Sequence, residues 1–199
     1  MHPNPKFAWS DEDAMRAFVN RHAFAQIVIV ADGKPASAQA PLVIAPDGSV
    51  RFHLSRANRL TPLLDGAEVL ASVIGTHFYV SPDWYGTEDR VPTWNYRLVE
   101  IEGVARRLDE PDLRNLLDQL SAAQEAQLAP KPAWTGAKMD QARLDRMLGA
   151  IVGFAIEQPR FSGAVKMGQG KNDAEARNVI AALRALGRHA EADEAEASL

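Results

Sequence analysis

The chain has 199 residues, of which 46% are hydrophobic, and its formal net charge is -4 at pH 7. This composition is sufficient for a folded core, whereas the acidic balance disfavours a broad surface for binding nucleic-acid phosphates. The absence of cysteine excludes a disulfide framework, a thiolate metal site and a cysteine nucleophile.

The N-terminal part of the chain predicts a helix followed by a β-hairpin. The first twenty residues lack a basic segment and a continuous apolar run, so we expect no signal peptide, no membrane anchor and a cytoplasmic location. Ser10 and the acidic residues after it indicate the start of a helix of about ten residues. Segments 25–31 and 35–43 are extended, and Asp32-Gly33 between them is typical of a two-residue hairpin turn.

The middle of the chain predicts several more strands and little helix. A turn at 45–48 carries proline, aspartate and glycine. Strands are predicted at 50–54, 68–74, 78–80 and 93–106. Gly103 is expected to interrupt the last of these. Five or six strands joined by tight turns favour a mainly β, α+β fold, namely an antiparallel barrel with peripheral helices.

The second half of the chain predicts helices around one more strand. Leucines at 113, 116, 117 and 120 follow helical spacing, so segment 107–150 is expected to be a helical insertion packed on the barrel. Segment 151–158 returns to strand character and should close the sheet. Segment 173–186 predicts a helix, and the acidic, alanine-rich residues 187–199 are expected to fray. Residues 1–199 are thus interpreted as one domain.

Segment 53–59, His-Leu-Ser-Arg-Ala-Asn-Arg, is the first candidate binding site. It leaves a strand and enters a turn, where free backbone N–H groups, a hydroxyl and two guanidinium groups can hold a phosphate. The alternative interpretation is an ordinary solvated turn.

Aromatic residues form a second candidate site. Six of the fourteen Trp, Tyr and Phe residues lie in segments 77–85 and 91–96. They are Phe78, Tyr79, Trp84, Tyr85, Trp94 and Tyr96. Such a cluster suits a protein interface or a planar ligand, and it equally suits a small hydrophobic core beneath a long loop.

Other chemistries have little support in the sequence. His53 and His77 lie on adjacent predicted strands, but no third or fourth metal ligand has a recognisable spacing, so no metal site is predicted. No nucleophile elbow, Walker sequence or dinucleotide fingerprint is present. No pair of carboxylates is indicated as a general acid and base, so no catalytic residue is predicted.

Four segments together resemble one family. His-Leu-Ser-Arg-Ala-Asn at 53–58, His-Phe-Tyr-Val-Ser-Pro-Asp-Trp-Tyr at 77–85, Val-Pro-Thr-Trp-Asn-Tyr at 91–96 and Ile-Val-Gly-Phe-Ala-Ile-Glu at 151–157 are similar, in order and spacing, to the PaiB-like FMN-binding negative transcriptional regulators. The resemblance implies an FMN-binding split β-barrel, related to pyridoxamine-phosphate oxidase. It also implies a homodimer with the flavin at the interface.

The resemblance also implies which residues contact FMN. Phosphate contacts are expected from Ser55, Arg56, Asn58 and Arg59. Segment 37–41, including Ser37, Gln39, Ala40 and Pro41, is expected to form the floor under the flavin ring through backbone groups. Further contacts are expected from Tyr79, Trp94, Asn95, Lys166 and Gln169. The chain departs from the family pattern at Arg59, where proline is usual, and after Gln169, where Gly-Lys replaces the family's basic pair.

Three functions follow as alternatives. The first is a flavin-dependent oxidoreductase or redox sensor, in which the flavin carries the redox chemistry. The second is a transcriptional repressor that acts through DNA or protein contacts without flavin turnover; its candidate DNA-binding residues are only Arg177, Arg184 and Arg188. The third is a haem-binding or haem-degrading split barrel that uses His53 or His77.

Overall fold

The computed structural model describes residues 2–199, and the chain divides into two compact units. The barrel unit comprises Glu12–Val73 and Glu100–Phe161. The terminal unit comprises Met1–Asp11, Ile74–Val99 and Ser162–Leu199.

The elements alternate irregularly along the chain. The strands are β1 (Ala8–Trp9), β2 (Phe24–Ala31), β3 (Lys34–Ile44), β4 (Val50–Ser55), β5 (Glu68–Val80), β6 (Thr93–Arg107), β7 (Ile151–Ile156) and β8 (Arg160–Lys166). The helices are α1 (Glu12–His22), α2 (Glu110–Ala126), α3 (Gln141–Leu148), α4 (Asp173–Ala185) and α5 (His189–Glu196). Short 3₁₀ turns lie at Thr61–Leu63 and Pro82–Tyr85.

The barrel unit is a closed ring of six strands. β2 pairs with β3 through the predicted hairpin, β3 with β4, and β4 with β7, all antiparallel. β7 pairs with β6, β6 neighbours β5, and β5 pairs with β2, which completes the ring. Because Asp32 and Gly33 both have positive φ, they form the mirror-image turn that matches strand twist. The predicted antiparallel barrel is confirmed.

Alternating side chains fill the barrel. On β2 and β4 every second residue is buried, as the period of an extended strand requires. Phe52 of β4 and Phe154 of β7 are both fully buried, and their rings stack at 5.5 Å between centroids. Further fully buried side chains complete this interior: Ile27, Leu42, Val73, Ile101 and Ile156.

A second core lies on the outer face of the barrel wall, beneath α2 and α3. Leu113, Leu116 and Leu120 of α2 are buried there with Val43 and Leu148. Gly153 of β7 allows the close approach, because a Cβ at that position would lie 3.1 Å from side-chain atoms of Leu108 and Leu113. The predicted leucine face of segment 107–150 is the face that α2 buries.

The terminal unit has its own core, built from Phe78, Val80, Tyr85, Met167 and the inner faces of α4 and α5. In this unit β1 pairs antiparallel with β8, at Ala8 with Ala164 and Trp9 with Gly163. The expectation that 187–199 frays is wrong. Residues His189–Glu196 form α5, because Ala192 and Ala195 are buried against α4.

Three other sequence predictions differ from the structure. β5 is one continuous strand instead of two. β6 runs through Gly103 without a break, and the glycine is needed for packing, because a Cβ there would lie 2.6 Å from Cγ2 of Ile156. Strands β1 and β8 were not predicted, since they are short or carry polar and glycine residues.

Within residues 2–199, no helix is long and apolar enough to cross a membrane, and no group of three or more His, Asp or Glu side chains could hold a metal ion.

Candidate functional site

The barrel wall has an opening between β3 and β4. These strands pair only from Leu42–Phe52 to Ile44–Val50, so the stretch 37–41 of β3 and the stretch 53–55 of β4 do not pair with each other. We call this gap the β3–β4 opening. It exposes the backbone groups of one strand edge in a sheet that is otherwise closed.

Pro41 explains why the ladder stops there. The N–H of Leu42 donates to the carbonyl of Ala23, whereas that of Ala45 donates to Ser49. Backbone groups of even-numbered β3 residues therefore point toward β2, and those of odd-numbered residues point toward β4. Pro41 is the first odd-numbered position beyond the paired stretch, and it has no N–H to donate.

Ser37 and Gln39 consequently present their backbone N–H and C=O groups to the opening. Their side chains, with that of Pro41, lie on the outer face of the strand, where Gln39 is exposed. Ala40 is fully buried and points into the barrel, so it can contribute only through its main chain. This edge can therefore bind the polar rim of a planar group through backbone hydrogen bonds.

The turn after β4 is held together by its own hydrogen bonds. The carbonyl of Ser55 accepts from the backbone N–H of Asn58 at 2.9 Å and from Oγ1 of Thr61 at 2.7 Å. The Ser55 hydroxyl oxygen accepts from the N–H of Ala57 at 3.3 Å, and Oδ1 of Asn58 accepts from the N–H of Leu60 at 2.9 Å. The Asn58 side-chain NH₂ remains open as a donor.

Arg56 and Arg59 have different roles in this turn. Nε of Arg56 donates to the carbonyl of Gly149 at 2.9 Å, and its backbone N–H donates to Ala150 at 2.8 Å. Arg56 therefore ties the turn to the start of β7. Arg59 is exposed, and neither its guanidinium nor its backbone N–H has a hydrogen-bond partner in the described part of the chain. A flexible cation beside open backbone donors suits a dianionic phosphate.

The predicted aromatic cluster divides into two parts within the terminal unit. Phe78 and Tyr85 belong to the core of the unit. Tyr79 and Trp94 are exposed, with their rings in a T-shaped arrangement at 6.1 Å, and the ring of His77 lies 6.4 Å from that of Trp94. We call these three residues the aromatic face. The predicted small core is therefore confirmed for Phe78 and Tyr85, whereas the contact of Tyr79 and Trp94 with a partner or a planar ligand stays a prediction.

Asn95 does not share the exposed surface of Trp94. The two residues are neighbours on β6, so their side chains point to opposite faces, and Asn95 is 4% exposed whereas Trp94 is 55% exposed. Asn95 lines a very small internal cavity with Met167 and Lys171. The two side chains therefore face different surroundings, and the expected contacts of Trp94 and Asn95 with the flavin stay a prediction.

Lys166 and Gln169 lie at the end of β8 in the terminal unit. Nζ of Lys166 donates to Oγ1 of Thr93 at 2.6 Å. The side chain of Gln169 spans its own turn: its NH₂ donates to the carbonyl of Val165 at 2.9 Å, and its oxygen accepts from the N–H of Met167 at 2.8 Å. Lys166 keeps further N–H donors for a ligand, whereas Gln169 shapes the turn.

Sequence reasoning missed a buried carboxylate nearby, in α4 of the terminal unit. Glu175 is 1% exposed and accepts from Oγ1 of Thr87 at 2.8 Å, from Nε of Arg90 at 2.7 Å and from a second Arg90 N–H. These hydrogen bonds, Thr87 first and Arg90 next, lower the pKa of Glu175 to about 2. The capping-box sequence Asn172-x-x-Glu175 predicts a helix start, but it gives no sign of Arg90.

Comparisons with known proteins give one family match and several relatives. The chain matches the family described as "Putative FMN-binding domain" over residues 1–159. It is 30% identical over 171 residues to "Protease synthase and sporulation protein PAI 2" of Bacillus subtilis, a match that covers 84% of this chain and 81% of that protein.

Two solved structures are similar in fold. The FAD and heme binding protein from Mycobacterium smegmatis superposes with a TM-score of 0.60 at 18% identity, covering 87% of this chain and 79% of that chain. The flavocytochrome Anf3 from Azotobacter vinelandii superposes with a TM-score of 0.59 at 18% identity, covering 89% of this chain and 78% of that chain. At these identities the matches show the fold alone, which is the split barrel that the sequence resemblance implies.

Proposed function

The chain belongs to the FMN-binding family that its first 159 residues match, its cofactor is FMN, and on that premise we propose where FMN binds and what it is used for. The flavin ring lies along the free edge of β3 at the β3–β4 opening. The phosphate binds at the turn after β4, with Arg59 as its principal cation.

The unpaired edge of β3 is the observation that carries this assignment. The edge offers N–H donors at Ser37 and Gln39 and carbonyl acceptors on the same side, as the alternating rim of a flavin ring requires. The turn after β4 adds the Ser55 hydroxyl, the Asn58 NH₂, and the backbone N–H and guanidinium of Arg59. No side chain has to move away from an existing partner to accept the cofactor.

In such a site the protein orients the cofactor, and the cofactor carries out the reaction. FMN supplies hydride and electron chemistry when bound. The backbone of β3 would fix the ring through directional hydrogen bonds, and Arg59 would neutralise the phosphate. Arg56 holds the turn against β7, so it contributes to the shape of the site. We propose that the activity is that of a flavin-dependent oxidoreductase or redox sensor.

The aromatic face supports a homodimer. Tyr79 and Trp94 are exposed together with Ile74, and aromatic side chains are enriched in the centres of protein interfaces. We propose that two copies meet through this face, with Lys166 close enough to reach the flavin of the other copy. In that arrangement the flavin is shielded from water on the side away from β3.

An absorbance titration with FMN, followed by gel filtration, tests the proposal. Stoichiometric flavin that co-elutes at the size of a dimer, and that NADH or NADPH reduces, supports it. Failure of FMN to co-elute at micromolar concentrations contradicts the assigned site. If FMN is retained but neither nucleotide reduces it, only the proposed oxidoreductase activity is contradicted. The midpoint potential of the bound flavin, measured by redox titration, then tests the proposed role as a redox sensor.

A PaiB-like regulatory role is the second candidate, because the curated relative is a sporulation and protease-synthesis protein. The three arginines predicted for DNA binding give it little electrostatic support. Arg184 forms ion pairs with Asp193 and Glu196 of α5, and Arg188 pairs with Glu191. Arg177 alone is exposed without a partner in the described chain. We therefore propose that regulation acts through protein contacts; salt-dependent retention on DNA that is lost in Arg177→Ala contradicts this.

Haem binding is the third candidate and has the least support. His53 is half-buried, and His77 is exposed with its Nδ1 3.1 Å from the carbonyl of Gly75. A haem titration that leaves the Soret band unshifted removes this candidate.

A further inference from the structure

A cavity of about 870 Å³ lies in the barrel unit, outside the barrel wall and apart from the edge of β3. Its walls are α2, α3, the loop between them and the ends of β4 and β7. Most of its lining is apolar: Leu117, Trp134, Leu144, Met147 and Ile151. The volume is within the range of natural small-molecule sites, about 300–1,000 Å³.

The walls of this helix cavity are fixed by polar contacts at its rim. Arg114 of α2 donates to Glu110 and to Asp145 of α3, both at 2.9 Å. Glu125 at the end of α2 accepts from the ammonium of Lys131 and, at 2.8 Å, from the backbone N–H of Trp134. These contacts hold both helices and the loop in place, so the cavity exists before a ligand arrives.

His53 is the polar group on the barrel side of the cavity. Its Nδ1 is buried and has no hydrogen-bond partner within residues 2–199. Burial lowers the pKa of His53, so the ring is neutral at pH 7. A proton on Nδ1 would be a buried donor without an acceptor, which is rare in folded proteins. The favoured tautomer therefore has its N–H on Nε2, and His53 is one of the residues that line the cavity.

The charges around the cavity disfavour an anion as its ligand. Arg114 is the one cation among the lining residues, and two carboxylates already neutralise it. Asp118 adds a carboxylate that has no partner in the described chain. These charges disfavour an anion, and because most of the lining is apolar, a largely neutral molecule fits the cavity best, provided that it carries a hydrogen-bond acceptor to pair with His53.

We propose that the helix cavity binds an uncharged, largely apolar small molecule that carries a carbonyl acceptor for Nε2 of His53. This site is separate from the FMN site. Because α2 packs on β3, β4 and β7, its ligand would rest on the same wall, and His53 lies in the stretch of β4 that borders the β3–β4 opening.

Matched probes test the proposal on the full FMN-loaded chain. 2-Acetylnaphthalene and 2-ethylnaphthalene differ only in the carbonyl group, and equilibrium dialysis gives the affinity of each. We expect saturable binding of one molecule per chain, with the ketone bound about fivefold more tightly, as one neutral hydrogen bond allows. His53→Phe should abolish that preference, and His53→Gln, which keeps a donor, should retain part of it.

Cavity-filling variants locate the site. Ala122→Trp places an indole among the lining residues and should reduce the affinity for both probes at least tenfold, whereas Ala126→Trp, on the exposed end of the same helix, should not. The proposal is overturned by non-saturable binding, by equal effects of the two tryptophans, or by a ketone preference that survives His53→Phe. FMN content, measured from absorbance in the same samples, reports the other site separately.

Discussion

At the scale of single residues, Arg56 and Arg59 show how two identical side chains in one turn have separate roles. Arg56 donates to the main-chain carbonyls of Gly149 and Ile151, whereas Arg59 has no hydrogen-bond partner within residues 2–199. The sequence predicts both as phosphate ligands, since both follow the same strand end. Residue type and position could not reveal that Arg56 is used by the fold, because its partners, Gly149 and Ile151, lie more than ninety residues away.

Replacing Arg59 should therefore affect FMN binding, whereas replacing Arg56 should affect the stability of the fold. We expect Arg59→Ala to weaken FMN binding about tenfold, the loss of a charge-assisted contact, with the melting temperature unchanged. Arg56→Ala should lower the free energy of unfolding by about 1–2 kcal/mol, because two carbonyl groups lose their donor. FMN titration and thermal melts of both variants check this, and equal melting temperatures would contradict the division of roles.

Glu175 gives the terminal unit a pH-dependent contribution to stability. Its pKa is about 2 in the folded chain, below the ordinary value of 4.5. A lowered pKa in the folded state means that this stabilisation is complete above about pH 4.5 and is lost as the pH falls toward 2. Denaturant melts between pH 5 and pH 2.5 should show a shallower loss of stability in Glu175→Gln than in the unchanged chain. If the free energy of unfolding falls equally with pH in both proteins, the Glu175 carboxylate does not contribute to the pH dependence of stability.

At the scale of elements, the predictable parts are those with a short-range signal. The Asp32-Gly33 hairpin, the leucine face of α2 and the strand at 50–54 each follow from a local pattern, and each is confirmed. The breaks predicted in β5 and at Gly103 are wrong, because they assume that glycine weakens a strand. In β6 the glycine is selected by Ile156 on a neighbouring strand, which sequence spacing does not indicate.

Gly103→Ala should destabilise the barrel unit. The added methyl group would lie 2.6 Å from Cγ2 of Ile156, so the wall must shift, at a cost of about 1–3 kcal/mol. The double variant Gly103→Ala, Ile156→Ala removes the clashing atom, and its effect should be smaller than the sum of the single effects. Urea unfolding of the four proteins in this cycle measures the coupling, and strict additivity would contradict it.

At the scale of the whole molecule, the candidate site residues are distributed over both compact units. Ser37, Gln39, Ala40, Pro41, Ser55, Arg56, Asn58 and Arg59 belong to the barrel unit, whereas Tyr79, Trp94, Asn95, Lys166 and Gln169 belong to the terminal unit. The family resemblance supplies this set, but not the unpaired edge of β3, which depends on the register of three strands. In the proposed homodimer, residues of both units would contact the flavin.

Trp94→Glu should disrupt both assembly and cofactor retention. A buried carboxylate in the centre of an interface is costly, so we expect a monomer by light scattering and little bound FMN after gel filtration. Leu128→Glu is the matched control, because Leu128 is as exposed as Trp94 and lies outside the aromatic face. A Trp94→Glu protein that remains dimeric with full flavin would contradict the proposed interface.

The β3–β4 opening also affects how the protein behaves before it receives its cofactor. An unpaired strand edge is a template on which a strand from another molecule can add, the first step of edge-to-edge aggregation. Pro35 and Pro41 occupy two positions whose backbone groups face away from β2, and proline has no N–H to donate. A strand from another molecule could therefore not form a continuous hydrogen-bond ladder on this edge. Pro41, which ends the β3–β4 ladder, and Pro35 on the same edge therefore disfavour edge-to-edge self-association of the flavin-free chain.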